Sequence, residues 1–419
     1  MPLEDYADMV KKCLRCSVCK WIPQIQIKSQ KFATICPSID RWNFHSYSGG
    51  GRIIVALSVL MNRIEYSDKL LDVVYKCTEC GGCSISCKFL NKLEPLEIIQ
   101  ELREKLVEDG YGPLPIHRDY IDKTENFHNP YGEPHEERFS WLPDDVKINK
   151  KAKLAYYVGC TSSYRRKEIA IATARVLSRA GVDFTILGPD EYCCGSPLFK
   201  AGAKEQMLEL MQHNIKTIEE KGIEEVIMSC AGCYSTFKAD YPRFMKYNFK
   251  VTHTSEFFER LIEEGKLNLK KPINLKVTYH DPCHLGRNSE PYEEWNGQIV
   301  EPMPIVKLEI PPKPRRRGTY GVYEPPRNVI KKIPGLNLLE MERIKEYSYC
   351  CGAGGGVKAA FPDFALYTAN TRLEEVEATK AEALISTCPF CSTNLKDAIK
   401  ERGNNIKFYD LSELILEAL

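Results

Sequence analysis

Apolar positions change their period along the chain, and the change divides it. In the N-terminal third they recur at helical spacing. Leu96, Ile99, Leu102 and Leu106 follow Pro95, a good first-turn residue, and Asp68–Lys76 reads as a helix leading into a run of cysteines. From Lys153 onward, short apolar runs alternate with amphipathic stretches. KLAYYVGC (153–160) reads as a strand entering a cysteine, IAIATARVLSRAG (169–181) as a helix stopping at Gly181, and VDFTIL (182–187) as a second strand. A helix over 204–221 and the strand EEVIMSC (224–230) complete a βαβ rhythm, which predicts a parallel sheet with right-handed crossovers.

The rhythm then repeats. NLKVTYHDPC matches KLAYYVGC, YSYCCGAGGG matches DEYCCGSP, and AEALISTCPFC matches EEVIMSCAGC; the tails VTHTSEFFERLIEEG and IKFYDLSELILEAL also agree. The expected fold is α+β overall: a mainly helical domain, then two tandem α/β (βαβ) domains packed about a pseudo-two-fold axis. Residues 1–115 form the helical domain, 151–270 the first α/β domain and 271–419 the second. Between them, 116–150 is rich in Pro, Gly, His and acidic residues and reads as a linker wrapped over a neighbouring surface. One asymmetry stands out: 32 residues separate Cys160 from Cys193, but 66 separate Cys283 from Cys350. The extra length is rich in Pro and Arg and fits either a surface loop or a contact for substrate or partner.

Composition narrows the function classes. With 58 basic and 57 acidic residues in 419, the net charge of +1 gives no reason to expect nucleic acid as a partner. The longest apolar stretch, Ile53–Met61, is far short of the ~20 residues needed to span a bilayer. The N-terminus has no basic region followed by an apolar run, so the expected location is cytoplasmic, or peripheral on a membrane partner.

The chemistry lies in the 18 cysteines, which fall into four sets with none left over. A disulfide framework suits small exported domains, not this chain. Cys77, Cys80, Cys83 and Cys87 have the spacing of a bacterial-type ferredoxin run that wraps a [4Fe–4S] cubane. Cys13, Cys16 and Cys19 begin a second run whose terminator, Cys36-Pro37, stands 16 residues further on. This set reads as a second cubane, or as a three-iron or damaged site. Paired runs often exchange their fourth ligand, which leaves open which cluster takes Cys36 and which Cys87. Each repeat carries five cysteines: Cys160, Cys193, Cys194, Cys230 and Cys233 in the first, and Cys283, Cys350, Cys351, Cys388 and Cys391 in the second. Five thiolates, two of them adjacent, exceed the four of a tetrahedral zinc site and point to a multi-iron centre.

CCG followed by CxxC, twice, behind a dicluster segment, resembles the D-type component of heterodisulfide reductases over nearly the whole chain. The resemblance implies a noncubane [4Fe–4S] cluster in each five-cysteine repeat, the two jointly splitting a disulfide with electrons supplied singly by two cubane clusters. It also implies a protein electron donor (flavoprotein, hydrogenase or membrane cytochrome b) and a place in a larger hetero-complex. Closely similar proteins serve complexes that reduce benzoyl-CoA, and GVYEPPR with CCGAGGGVK is similar to that branch. Two functions therefore stand side by side: reduction of a small-molecule disulfide to thiols, or a relay between a flavoprotein or quinone-linked partner and a separate reductase.

Among the other residues, His280 and His284 flank Cys283 and are candidates to donate a proton to a leaving thiolate or to tune a cluster; fixing the loop is the alternative. His117, His128 and His135 read as solvated linker residues. Gly354–Gly356 suggest close backbone approach to a cluster, or room for a substrate, more than a phosphate cradle, because no Lys-Ser/Thr follows. Arg315, Arg316 and Arg317 read either as a solvated loop or as a grip on a sulfonate, phosphate or coenzyme A tail.

Overall fold

A computed structural model describes residues 2–304 and 306–419. The N-terminal part is helical, with principal helices at Gly49–Leu60, Asp68–Tyr75, Gly82–Leu90 and Pro95–Glu108. Ser48 and Ser67 cap the first two by accepting from the N–H groups of Gly51 and Leu70, and Pro95 opens the last at its first turn. Their apolar faces, including Ile53, Val74, Ile98, Leu102 and Leu106, close on one another in a single buried core.

Ten strands follow: β1 (Leu154–Tyr157), β2 (Thr185–Ile186), β3 (Glu225–Met228), β4 (Lys250–His253), β5 (Leu275–Tyr279), β6 (Gln298–Met303), β7 (Val306–Ile310), β8 (Leu336–Leu338), β9 (Ala383–Ser386) and β10 (Lys407–Asp410). The first sheet is parallel with order β2-β1-β3-β4, and the second is parallel with order β8-β5-β9-β10. Matching β5, β8, β9 and β10 to β1 to β4 makes the two orders identical, so the internal repeat is a repeat of topology. Small contacts agree: Tyr156 Oη meets Ser229 Oγ at 2.8 Å, and Tyr279 Oη meets Thr387 Oγ1 at 2.8 Å.

The halves pack reciprocally. Helix Leu411–Ala418 of the second lies on Lys167–Arg179 of the first, while Thr254–Glu263 of the first lies on Glu324–Lys332 of the second. Both terminal helices start with a capping box, His253 with Glu256 and Asp410 with Glu413. The shared apolar interior holds Val158, Ile227, Phe258, Val277, Ile385 and Leu414 from both halves.

Residues 116–150 contribute a helix, Pro115–Phe127, and the buried side chains of Arg138, Trp141 and Val146. His117 corrects the expectation of a solvated residue. It is fully buried, with Nε2 3.2 Å from the Gly356 carbonyl oxygen, because the helix packs against the glycine loop of the second repeat. His128 and His135 are half-buried: His128 stacks on Tyr192 with ring centroids 3.6 Å apart, and His135 reaches the Pro189 carbonyl at 2.6 Å.

The insertion of the second repeat forms the antiparallel β6–β7 hairpin, joined to neither parallel sheet. Its arginines do not form an open anion grip. Arg315 pairs with Glu309 at 2.9 Å, Arg316 reaches Glu97 at 3.4 Å, and Arg317 lies over the Phe89 ring at 4.9 Å, so the segment straps the second repeat to the helical part. Among the described residues no helix is long and apolar enough to cross a membrane.

Candidate metal centres

The helical part gathers eight thiols into two sets by crossing the ends of the two runs. Asn91 Nδ2 reaches Cys16 Sγ at 3.4 Å and Cys87 Sγ at 3.9 Å, while the Gly50 N–H donates to Cys19 Sγ at 3.2 Å and Cys13 Sγ reaches the Gly50 carbonyl at 3.9 Å. Cys13, Cys16, Cys19 and Cys87 therefore stand together. Cys36, Cys77, Cys80 and Cys83 line one cavity. Gly49 separates the sets: a Cβ there would stand 2.7 Å from Cys83 Cβ and 3.5 Å from Cys19 Cβ. The run Gly49–Gly51 begins a helix whose positive N-terminal end faces both groups of thiols. That triplet was legible in the sequence as glycines ahead of an apolar helix.

Each repeat arranges its five thiols in the same succession. In the first, Cys160 neighbours Cys193, and Cys194, Cys233 and Cys230 follow in turn; in the second the succession is Cys283, Cys350, Cys351, Cys391, Cys388. They sit in the loops beyond the strands and in the first turns of the helices that follow, Cys160, Cys233 and Cys391 being helical, on the side where parallel sheets place their sites. Two further contacts link the sets: Cys80 of the helical part meets Cys350, and Cys230 of the first repeat meets Cys388 of the second. A single file of thiols thus runs from exposed Cys16 through both helical sets to the second repeat and on to the first.

The donor sets fit iron–sulfur clusters. Burial pushes the Cys36 and Cys87 thiols up to about 12, so they would ionise at neutral pH only with a cation in place of the proton. Buried guanidinium groups supply compensating positive charge. Arg103 donates to the Cys77 carbonyl at 2.7 Å, Arg287 to the Cys80 carbonyl at 2.5 Å, and Arg138 to Cys160 Sγ at 3.4 Å while paired with buried Glu191 at 3.1 Å. None of these arginines carries a local sequence signal, and Arg138 comes from the segment read as linker.

His280 and Tyr157 occupy matching places. Tyr279 pairs with Ile385 as Tyr156 pairs with Ile227, and the next residue in each strand turns toward thiols. A ring nitrogen of His280 and the sulfurs of Cys351 and Cys391 all lie within 4.8 Å of one another. In the first repeat the phenol of Tyr157 faces Cys194 and Cys233 instead and donates to the Tyr192 carbonyl at 2.6 Å. His284 is half-buried and points across the seam, its Nδ1 3.9 Å from where a Cβ on Gly232 would stand, between Cys230 and Cys233. Burial lowers its imidazole pKa. Cys283 is the one repeat cysteine not fully buried.

Gly354–Gly356 approach protein backbone. A Cβ on Gly354 would stand 2.7 Å from the Thr78 carbonyl oxygen, and one on Gly355 2.5 Å from that of Cys77. The loop packs the second repeat onto the ferredoxin-like run, with Gly356 against the His117 ring.

The 4Fe-4S dicluster domain family matches residues 9–90, and the cysteine-rich domain family matches residues 154–238 and 315–396. The chain is 37% identical to the D-type component of the dihydromethanophenazine:CoB–CoM heterodisulfide reductase of Methanosarcina acetivorans, across 97% of this chain and 93% of that one. It is 33% identical to the B-type component of the fumarate reductase (CoM/CoB) of Methanothermobacter marburgensis, across 82% of this chain and 61% of that one. Against EtfAB:quinone oxidoreductase of Syntrophomonas wolfei the identity is 30%, across 83% of this chain and 47% of that one. With its dicluster segment, its twice-used cysteine-rich fold and a similarity running nearly end to end, the chain belongs to the family of D-type heterodisulfide reductase components and is an iron–sulfur oxidoreductase subunit.

Proposed function

We propose that the chain accepts electrons from a partner protein at its outer thiol set and delivers them to the paired sites of the repeats, where a disulfide is reduced to two thiols. The observation that carries this reading is the continuous file of thiols from exposed Cys16 to Cys350 and, through Cys388, to Cys230. Cys13, Cys16, Cys19 and Cys87 would hold one cubane cluster and Cys36, Cys77, Cys80 and Cys83 the other. The five cysteines of each repeat would hold one noncubane cluster apiece. When bound, the clusters would carry electrons one at a time.

Reduction of a disulfide consumes two electrons and two protons and breaks the S–S bond, leaving two thiols. His280 is positioned beside Cys351 and Cys391 to hold one of those protons, and His284, at the seam between the repeats, is placed to hold the other. Arg287 offsets negative charge between Cys80 and Cys350. A donor of the flavoprotein, hydrogenase or cytochrome b class, in the cytoplasm or at the membrane face, would complete the chain of supply.

The relay reading draws support from the relative named for quinone chemistry, EtfAB:quinone oxidoreductase, whose name carries neither a thiol nor a disulfide. EPR on anaerobically purified, oxidised protein separates the two. A paramagnetic signal appearing only with one added thiol among coenzyme M, coenzyme B and coenzyme A supports disulfide chemistry. Reducible cubane-type signals unchanged by every thiol would leave the relay.

A further inference from the structure

We infer that the face around Cys16, together with the β6–β7 hairpin, is the docking surface for a redox protein whose own centre lies near an acidic-rimmed apolar patch. This rests on the reading above, in which electrons arrive at the outer thiol set.

Three observations converge. Cys16 is the one fully exposed cysteine, and its neighbour Leu14 is 75% exposed. Among the described residues, every exposed large apolar side chain lies within 14–127 or within 292–320, and the rest of both repeats has none. The two regions meet: Lys307 of the hairpin reaches Asp8 at 3.5 Å, Arg315 donates to the Lys92 carbonyl at 3.2 Å, and Arg317 covers Phe89. Phe89 and Leu90 follow Cys87 and are exposed, as are Ile299, Met303, Leu308 and Ile310 on the hairpin. Apolar surface of this kind, confined to the helical part and the inserted segment that meets it, marks an interaction site.

Charge sets the kind of partner. From Met9 to Lys31 the chain carries six basic residues and no acidic one. Lys11 pairs with Asp8 and Lys31 with Glu374, whereas Lys12, Arg15 and Lys28 are exposed and make no ion pair among the described residues. A basic rim around an apolar centre steers an acidic partner and fixes its orientation. A protein is favoured over an anionic lipid surface because the exposed cations Lys12 and Arg15 flank an exposed thiol of the outer set. The hairpin agrees, since two strands paired only with each other are marginally stable alone and leave both edges open to a protein neighbour.

The test follows reduction of the cluster-loaded full chain by stopped flow, with a reduced acidic bacterial-type ferredoxin as donor and the loss of visible absorbance as signal. Salt should slow the wild type, and K12E/R15E should lower its second-order rate by about tenfold. L308S/I310S should lower it severalfold, while K380E, on the second repeat, should leave it unchanged. Dithionite should reduce all four proteins alike. Wild-type ferredoxin rates in both patch variants would overturn the proposal. So would binding to phosphatidylglycerol vesicles that K12E/R15E abolishes while the ferredoxin rate is untouched, which would assign the face to lipid. If dithionite bleached none of the proteins, the functional reading itself would fall and the docking site with it.

Discussion

Arg372 donates from Nε to Nδ1 of His280 at 3.2 Å, and that contact decides which imidazole nitrogen is free. A guanidinium only donates, so Nδ1 accepts and the proton of a neutral ring resides on Nε2. Among the described residues Nε2 has no hydrogen-bond partner, and the ring stands beside Cys351 and Cys391. Replacing His280 with Gln should lower disulfide turnover by about 100-fold and flatten its pH profile while the cubane EPR signals persist. Arg372→Lys keeps the charge but loses the planar contact, and should fall between that variant and wild type. Unchanged turnover and pH profile in His280→Gln would reduce the residue to a packing role.

The crossing of Cys36 and Cys87 makes a prediction about spectra. Cys87→Ser should alter the same cubane signal as Cys16→Ser, and Cys36→Ser the same signal as Cys77→Ser, in EPR of the dithionite-reduced protein. If Cys87→Ser instead matched Cys77→Ser, each run would hold its own cluster and the thiol grouping would be wrong.

Arg138 and Glu191 are both fully buried, and Glu191 also accepts from the N–H groups of Val158 and Gly159. Arg138→Gln leaves that carboxylate without its cation and should cost about 3–5 kcal/mol of stability, read as a lower denaturation midpoint. Adding Glu191→Gln removes the stranded charge and should recover part of the loss. A single variant as stable as wild type would mean that the pair is solvated.

Burial holds His117 and His253 down to about 4, with Arg103 adding to the effect at His117. Because the unfolded imidazoles take up protons from about pH 6.5, the stability from neutral burial is present above that value and lost as pH falls toward 4. The slope should be on the order of 1 kcal/mol per pH unit for each histidine. Burial acts oppositely on Asp410, raised to about 7, so its contribution is full below about pH 4 and lost as pH rises through 7. Urea midpoints between pH 4 and 8 should rise less steeply above pH 4 in His117→Gln than in wild type, and more steeply in Asp410→Asn. Parallel curves for all three proteins would refute both assignments.

Much of this architecture is legible before any coordinates. The period change at Lys153 and the matched strings around the cysteines predict two equivalent parallel sheets, because apolar periodicity and turn chemistry act over short stretches. The partition of Cys36 and Cys87 is not legible, since spacing describes a run and the partition depends on how helix Gly82–Leu90 packs beside Gly49. Arg138 and Arg287 are invisible for the same reason: a lone arginine in a polar segment looks solvated until the fold encloses it. His117 misled because the composition of its segment, rich in Pro and Gly, outweighed the helix that Pro115 starts. In the arginine run only the pairing of Arg315 with nearby Glu309 is local; Glu97 and Glu94, which tie Arg316 and Arg315 to the helical part, lie more than two hundred residues earlier.

The reciprocal packing of Leu411–Ala418 on Lys167–Arg179 and of Thr254–Glu263 on Glu324–Lys332 is the interface of a two-fold dimer, made within one polypeptide. Two identical protomers must carry every substitution twice. Covalent fusion lifts that constraint, so each copy drifts alone: one keeps a tyrosine where the other has a histidine, and only one grew a hairpin. The two repeats thereby share one interface while presenting a different face on each side.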